Sequence, residues 1–427
     1  MRPMLDLKFI QENIDYVKEN IKNRNAKADP DLVANLCRER INLIKKIDSL
    51  RQERNENAKK MKSITRQEDR TPLITEGKEL KEKIAESEGI LKEKEKVLFY
   101  EAARIPNMAH PAAPVGKEEK DNLEIKRNGD IPKFSFEPRD HVELGQALDI
   151  IDFDTATKVS GTKFYYLKNE GAFMDMALLR YGMDILKEKG FTLSITPDIA
   201  RIGVVEGIGF NPRGEESNIY NIEGTDTCLV GTAEITLGAY YLDSIIEIEN
   251  LPVKLAGLSH CFRREAGAAG QYSKGLYRVH QFSKLEMFVY CHPDDSEAIH
   301  KELLAVEEEI FEGLEIPYRV VDTCTGDLGN PAFRKFDIEA WMPGRGKKGG
   351  WGEITSTSNC TDYQARRLGV RFKENGESRF VHMLNGTAIA VSRAMIAVIE
   401  NHQQSDGSVK IPRKLVPYTG FDKILPK

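Results

Sequence analysis

Three groups of residues have the types and spacing that chemistry on a nucleotide requires. The first lies in the segment 260–290. Arg263 and Glu265 stand two positions apart ahead of a stretch rich in Gly and Ala at 266–275, and Arg278, Phe282, Lys284 and Glu286 follow in a run of strand-forming residues. Read as a β-hairpin, residues two apart share a face, so Arg263 joins Glu265, and Phe282 joins Lys284 and Glu286. A guanidinium offers rigid paired donors to a phosphate or a carboxylate, a flat ring stacks on a purine, and an acid receives an ammonium group. Together these are the needs of an enzyme that joins an amino acid to an adenylate. Taken singly, each residue has a plainer reading: Arg263 and Glu265 as a surface ion pair worth about 0 to 1 kcal/mol, Phe282 as an ordinary core aromatic.

The second group lies at 351–367, where Glu353 and Ser356 are close enough along the chain to give oxygens to one hard cation. Mg²⁺ prefers such ligands, shared with substrate phosphates. The same residues also read as a strand of alternating polarity, capped by Ser358 or Asn359 before a helix, and the two readings are compatible. The third group lies at 382–393. Asn385 and Thr387 flank Gly386, where a ligand can approach the backbone closely. Arg393 follows in the first turns of a helix, placed to neutralise a pyrophosphate. The sequence contains no Gly-x4-Gly-Lys-Ser/Thr loop and no GxGxxG turn leading from a strand into a helix, the glycines at 344, 346 and 349 running on into the strand-forming residues at 352–357, so a nucleotide site here has to be assembled another way.

The elements that must position these groups are short apolar and β-branched runs at 164–167, 191–196, 253–258, 282–290, 318–324, 335–341 and 352–357, separated by Gly and Pro turns. Helical patterns are interspersed at 172–189, 294–313, 361–368 and 388–401. Few of the runs are separated by a full helix, so regular βαβ winding fits poorly, and the fold class expected is α+β with a mainly antiparallel sheet flanked by helices.

Residues 31–104 follow a different grammar: almost no Gly, one Pro (Pro72), and a preponderance of charge. Leu43, Ile47, Leu50, Arg54, Asn57, Met61 and Ile64 alternate steps of four and three, as do Leu73, Gly77, Leu80, Ile84, Ser87, Leu91, Lys94 and Leu98. Two helices of roughly 30 to 35 residues, each about 45 to 50 Å long, result. A short charged turn at 65–72, with Pro72 in the first turn of the second helix, favours a long antiparallel coiled-coil hairpin. Its seams are too narrow and polar to anchor a globular core. It is therefore either a projecting arm for a large partner or a coiled coil that dimerises the protein. A short amphipathic helix bearing Leu5, Leu7, Ile10, Ile14, Val17 and Ile21 precedes it. The expected domains are an arm at 1–105, a Pro-rich linker at 106–120 and a catalytic body at 121–427.

With 427 residues, 40% hydrophobic and 30% charged, the chain can bury a sizeable core. Its 62 basic and 67 acidic residues give a net charge of -5, which argues against a histone-like grip on nucleic acid and leaves a local RNA-binding face open. The six cysteines form no CxxC pair, so a zinc ribbon or disulfide scaffold is not expected. No apolar run reaches membrane-spanning length and the N-terminus does not read as a signal peptide, which makes a cytoplasmic protein with no membrane and no DNA partner the expectation.

Over nearly its whole length the chain resembles the bacterial-type seryl-tRNA synthetases, of the class II aminoacyl-tRNA synthetases. The resemblance implies a homodimer that activates serine with Mg²⁺-bound ATP and transfers it to the 3'-terminal adenosine of tRNA(Ser), and also of tRNA(Sec) where that tRNA exists. It implies that the helix and strand at 172–197 form the dimer interface and that the hairpin at 262–286 carries the ATP site. There Arg263 resembles the arginine that holds the α-phosphate and serine carboxylate, Glu265 the acid near the adenine, Phe282 the ring beneath it, and Glu286 the acid that reads serine; Arg278 joins the ATP-contacting set. Thr232, Ala233 and Glu234 resemble the serine-specific loop, with Thr232 near the substrate amine. Glu353 and Ser356 resemble the metal-contacting pair, Asn385 and Thr387 the residues around the serine side chain, and Arg393 the third-motif arginine against ATP. Arg263, Glu265, Glu286 and Arg393 are thereby the catalytic candidates. Gly231, Ala269, Gln271, Tyr272, Ala388 and Ser392 depart from the family's usual pattern, which implies altered loop mobility and acceptor-end handling rather than loss of activity. The arm, by the same resemblance, contacts tRNA, with Arg38, Arg40, Lys45, Lys46, Arg51, Arg54, Lys59, Lys60 and Lys62 as candidates. Two other classes compete: a synthetase-like paralogue that loads a non-tRNA carrier, which has no need of a long arm, and a noncatalytic RNA-binding scaffold, which has no need of the charged residues above.

Overall fold

The computed structural model describes residues 4–64, 66–212, 217–266 and 272–427, with the side chains of Gln67 and Glu68 left aside. Thr65 of the expected turn, and Ala269 and Gln271 of the Gly/Ala-rich stretch, lie outside the described residues. The chain divides into two compact units, Met1–Pro106 and Asn107–Lys427.

In the first unit, two short helices, Leu7–Glu12 and Ile14–Asn23, replace the single one expected. Asp6 caps the first through the backbone N–H groups of Lys8 and Phe9. The helix Pro30–Ser63 starts on a Pro at its first position, where no N–H is needed, with Asp29 accepting from Leu32 N at 3.0 Å. The second long helix runs Gln67–Ala102 and so begins before the predicted start. Pro72 consequently lies inside it rather than in its first turn. The short connection is closed by Arg70, whose Nε donates to the Ile64 carbonyl at 2.9 Å. The two long helices pack along the expected seam: Ile47, Asn57, Leu80, Ile84, Ser87 and Leu98 are buried. Cross-helix pairs step up one helix as they step down the other: Arg40 with Glu95 (2.8 Å), Arg51 with Glu88 (2.8 Å), and Asn57 Nδ2 with Glu76 Oε2 (2.6 Å).

The second unit begins with the Pro-rich stretch expected to be a linker, which is stitched to this unit. Asn107 Nδ2 donates to the carbonyls of Pro331 and Cys360, both at 2.9 Å, His110 N donates to Phe333 O at 2.8 Å, and the Pro114 carbonyl accepts from Thr325 N at 2.8 Å. Its centre is an 8-stranded sheet. In spatial order the strands are Leu123–Asn128, Tyr318–Asp322, Arg334–Met342, Gly350–Asn359, His382–Ala390, Gln281–Cys291, Val253–Phe262 and Thr192–Ile195. Every neighbouring pair is antiparallel except the last, Thr192–Ile195 against Val253–Phe262, which is parallel and makes the sheet mixed.

Period-two alternation sorts the side chains of these strands. On Gln281–Cys291, Leu285, Met287 and Val289 belong to the main core cluster, which also contains Leu178 of the helix Glu170–Glu188, Leu303, Val306 and Ile310 of the helix Ser296–Gly313, and Met395 of the helix Val391–Asn401. Phe288 and Tyr290, on the other alternation, are buried in a second cluster with Ala233, Leu237 and Leu368. Phe282, Lys284 and Glu286 share that alternation; Phe282 and Lys284 line a cleft and Glu286 is buried beside them, which is how one strand supplies both a core and a site. The third-motif segment is expected as helix from 388, yet Ala388 to Ala390 are still strand, because Ile389 and Ala390 remain paired with Leu285 and Lys284.

Candidate active site

The cleft is lined by Arg263, Glu265, Arg278, Phe282, Glu353, Ser356, Thr387 and Arg393, with Tyr277 and Lys284 among them. Register brings most of them together. Thr387 pairs with Glu286 across one strand boundary, Asp337 with Ser356 and Glu339 with Glu353 across another. A bulge between Thr387 and Ile389 and a second between Ile338 and Glu339 shift the local alternation next to these residues.

Arg263 and Glu265 do not share a strand face as the sequence suggests. The strand ends at Phe262, and Glu265 has φ +50°, a left-handed backbone that no extended strand adopts. Glu265 instead meets Arg278 Nη1 at 3.3 Å. Arg278 likewise precedes its strand, which starts at Gln281 after the helical turn Gly275–Tyr277. The Nε of Arg278 is buried and has no partner among the described residues. Arg263 is held by its Nε donating to the Gly231 carbonyl at 3.1 Å, with its guanidinium 5.3 Å from the Phe282 ring centroid. The backbone makes that contact, so the Gly that stands at 231 still supplies it.

Deeper in the cleft, Lys284 is ion-paired with Glu286 and donates to Thr387 Oγ1 at 3.4 Å, while Thr387 donates to Glu286 Oε2 at 3.2 Å. Lys284 is 6% and Glu286 2% exposed, so neither charge is tolerable without the other. Beside them, Glu234 Oε1 accepts from Asn385 Nδ2 at 3.0 Å and Gln364 Nε2 at 2.8 Å, and Thr232 Oγ1 accepts from Glu234 N at 3.1 Å. Burial, reinforced by the charge of Glu286, pushes the Glu234 carboxyl up to about 7. At the other side of the cleft, burial works to raise Glu353, but Arg393 and then Lys335 outweigh it and hold its carboxyl below the usual range. The result is a buried acid that titrates near neutrality beside the Lys284–Glu286–Thr387 cluster, and an anion held by Arg393 and Lys335 at the other side of the cleft.

Residues 4–109 match the family described as Seryl-tRNA synthetase N-terminal domain, and residues 219–402 match the tRNA synthetase class II core domain (G, H, P, S and T). The chain is 63% identical over 422 residues to the serine–tRNA ligase of Treponema denticola, across 99% of this chain and 100% of that one. It belongs to the seryl-tRNA synthetase family. The serine–tRNA ligase of Borrelia recurrentis is 58% identical over 424 residues, covering 99% and 100% of the two chains. Among solved structures, the seryl-tRNA synthetase from Pyrococcus horikoshii complexed with ATP superposes with a TM-score of 0.91 at 42% identity, covering 99% of this chain and 100% of that one.

This member of the family also places residues in or beside the cleft that sequence reasoning missed. Tyr277, 4.8 Å by its ring centroid from the Arg393 guanidinium, lines it. Lys335 and Asp337 stand opposite the strand of Glu353 and Ser356. Asp337 Oδ1 is buried and without a partner among the described residues, and burial, only partly offset by Lys335, pushes its carboxyl up to about 6. The signal was present: Lys335, Asp337 and Glu339 alternate with Phe336, Ile338 and Ala340, and charge repeated on one face of a central strand marks a site.

Proposed function

We propose that this chain activates serine with ATP to seryl-adenylate and transfers the seryl group to the 3'-terminal adenosine of tRNA(Ser). The observation that carries the reading is the convergence of Arg263, Arg393, Phe282, Glu353 and Ser356 on one cleft, beside the Lys284–Glu286–Thr387 cluster. In the first step a serine carboxylate oxygen attacks the α-phosphorus, the bond to the β-phosphate oxygen breaks, and pyrophosphate leaves. Arg263 neutralises the charge that develops on the α-phosphate and orients the carboxylate, and Arg393 stabilises the departing end. Phe282 stacks on the adenine with Glu265 at its edge. Arg278, whose buried Nε has no partner among the described residues, completes the phosphate contacts.

Glu353 and Ser356 are the residues that would hold Mg²⁺, which supplies neutralisation of the triphosphate when bound. Their oxygens and Asp337 Oδ1, which has no partner among the described residues, fit a hard cation. Serine sits with its amine toward Thr232 and Glu234 and its hydroxyl toward Glu286 and Thr387, with Asn385 holding Glu234 in place. A pocket that hydrogen-bonds the hydroxyl rejects alanine because its own buried groups are left unpaired. In the second step a ribose hydroxyl of the tRNA attacks the activated carbonyl, the bond to the phosphate oxygen breaks, and AMP leaves.

The unit Met1–Pro106 serves as an antiparallel coiled-coil arm for the tRNA, tRNA(Sec) included where it exists. A homodimer is supported by Phe173, Met176 and Ile195, which are 60%, 69% and 80% exposed on the helix and strand matching the family's interface motif. No described helix is long and apolar enough to cross a membrane, and a cytoplasmic enzyme without a DNA partner is the reading that accompanies this one. The test is pyrophosphate exchange with each amino acid in turn, followed by charging of purified tRNA(Ser). Exchange with serine above all others, together with charging, is the expected result. Exchange without charging would point to a carrier-loading paralogue, and no exchange would refute the proposal.

A further inference from the structure

Behind the cleft a buried pair ties four separate segments together. His141 and Glu400 both have fully buried side chains, and His141 Nδ1 lies 2.8 Å from Glu400 Oε1. The same Oε1 accepts from the His141 backbone N–H at 3.0 Å, and Glu400 Oε2 accepts from Gly344 N at 2.7 Å. On the far side of the ring, the Leu276 backbone N–H donates to His141 Nε2 at 3.1 Å. An N–H can only donate, so Nε2 is an acceptor and the ring hydrogen resides on Nδ1, pointing at Glu400. A Cβ at Gly275 would collide with the imidazole, and that residue has φ +56°, so the approach of this backbone to the ring depends on glycine.

What Leu276 carries is functional. The next residue, Tyr277, has the guanidiniums of Arg345 and Arg393 each 4.8 Å from its ring centroid, and the residue after it is Arg278. Glu400 lies on the helix Val391–Asn401 that also bears Arg393. The pair therefore references the segment of Tyr277 and Arg278 to the helix of Arg393, setting the width of the nucleotide side of the cleft.

We propose that His141, oriented by Glu400, is a positioning residue for ATP: its Nε2 fixes the Leu276 backbone and thereby Tyr277 and Arg278. The inference rests on the seryl-adenylate reading above. It separates two side chains that differ in which half of the imidazole they imitate. Glutamine reaches far enough to offer an acceptor at the Nε2 position, whereas asparagine offers a donor near Nδ1 and leaves the Leu276 N–H without a partner.

The experiment compares wild type, His141→Gln and His141→Asn as full chains in serine-dependent pyrophosphate exchange. His141→Asn is expected to raise KM for ATP about tenfold, the effect of one unpaired buried N–H, while KM for serine stays within about twofold. His141→Gln is expected to retain KM for ATP within about threefold of wild type. Unchanged KM for ATP in both variants, or equal losses for ATP and serine in both, would overturn the proposal. Independently of whether a variant folds, the nitrogen spectrum of histidine-labelled wild type should show the Nδ1–H tautomer at His141, and the Nε2–H tautomer there would also overturn it. Wild type without serine-dependent exchange would sink the functional reading instead, so the two failures are distinguishable.

Discussion

Glu353 and Arg393 hold each other twice, Arg393 Nη1 lying 3.1 Å from both the Glu353 Oε1 and the Glu353 carbonyl oxygen. The pair joins a strand of the central sheet to the first turn of the helix Val391–Asn401. It also fixes the guanidinium in the lining of the cleft. Preorganised charge of this kind costs no rearrangement at the moment of reaction.

Arg393→Ala and Arg263→Ala are each expected to lower serine-dependent pyrophosphate exchange by about 10²-fold or more, as loss of a donor to developing phosphate charge does. Rates measured at saturating ATP and serine check this. Near-normal exchange by either variant would remove that arginine from the first step.

Gly386 lies between Asn385 and Thr387, and a Cβ there would sit 2.8 Å from Glu307 Oε1 and 3.1 Å from Thr357 Oγ1. Glu307 is fully buried and its other oxygen accepts from Thr355 at 2.8 Å, so it has little room to yield. Gly386→Ala is expected to destabilise the fold by about 1 to 3 kcal/mol through overpacking. Urea denaturation followed by fluorescence measures it.

Glu234 sets a pH dependence whose sign follows from its surroundings. Burial first and the Glu286 charge second raise its carboxyl from 4.5 to about 7. The stability it contributes is complete below 4.5, where folded and unfolded chains both hold the proton, and is lost as pH rises through 7. Glu234→Gln keeps an oxygen for Asn385 and Gln364 without the charge. Relative to wild type it is expected to gain about 1 to 3 kcal/mol between pH 4.5 and pH 8. Paired denaturation curves at the two pH values test the sign, and a relative loss at pH 8 contradicts it.

Deletion of residues 31–104 is expected to leave serine-dependent exchange within a few-fold of wild type while abolishing efficient charging of tRNA(Ser), because the cleft lies wholly in the unit Asn107–Lys427. Equal loss of both activities in a folded deletion variant would contradict the division of labour.

Much of this was legible from the chain itself. The two long helices follow from their alternating seam, since a helix repeats every 3.6 residues wherever tertiary contacts do not intervene. Phe282, Lys284 and Glu286 read correctly as one face for the same local reason, with a period of two. Arg263 with Glu265 did not, because the strand ends at Phe262 and Glu265, in a left-handed backbone, pairs with Arg278 thirteen positions away, a contact that no local pattern specifies. Lys335 and Asp337 carry a local charge alternation, but that this face meets Glu353 and Ser356 comes from the register of their strand against Gly350–Asn359, a long-range pairing that no local pattern specifies. The pair of His141 and Glu400 was invisible for the same reason: nothing in the sequence near either residue hints at the other.

The most direct test of the central claim is a crystal structure of this protein with a non-hydrolysable seryl-adenylate analogue. The phosphate mimic is expected within hydrogen-bonding distance of Arg263, the adenine on the Phe282 ring, and the serine hydroxyl against Glu286 and Thr387. An analogue bound elsewhere, or lying in the cleft with these side chains turned from it, would contradict the account.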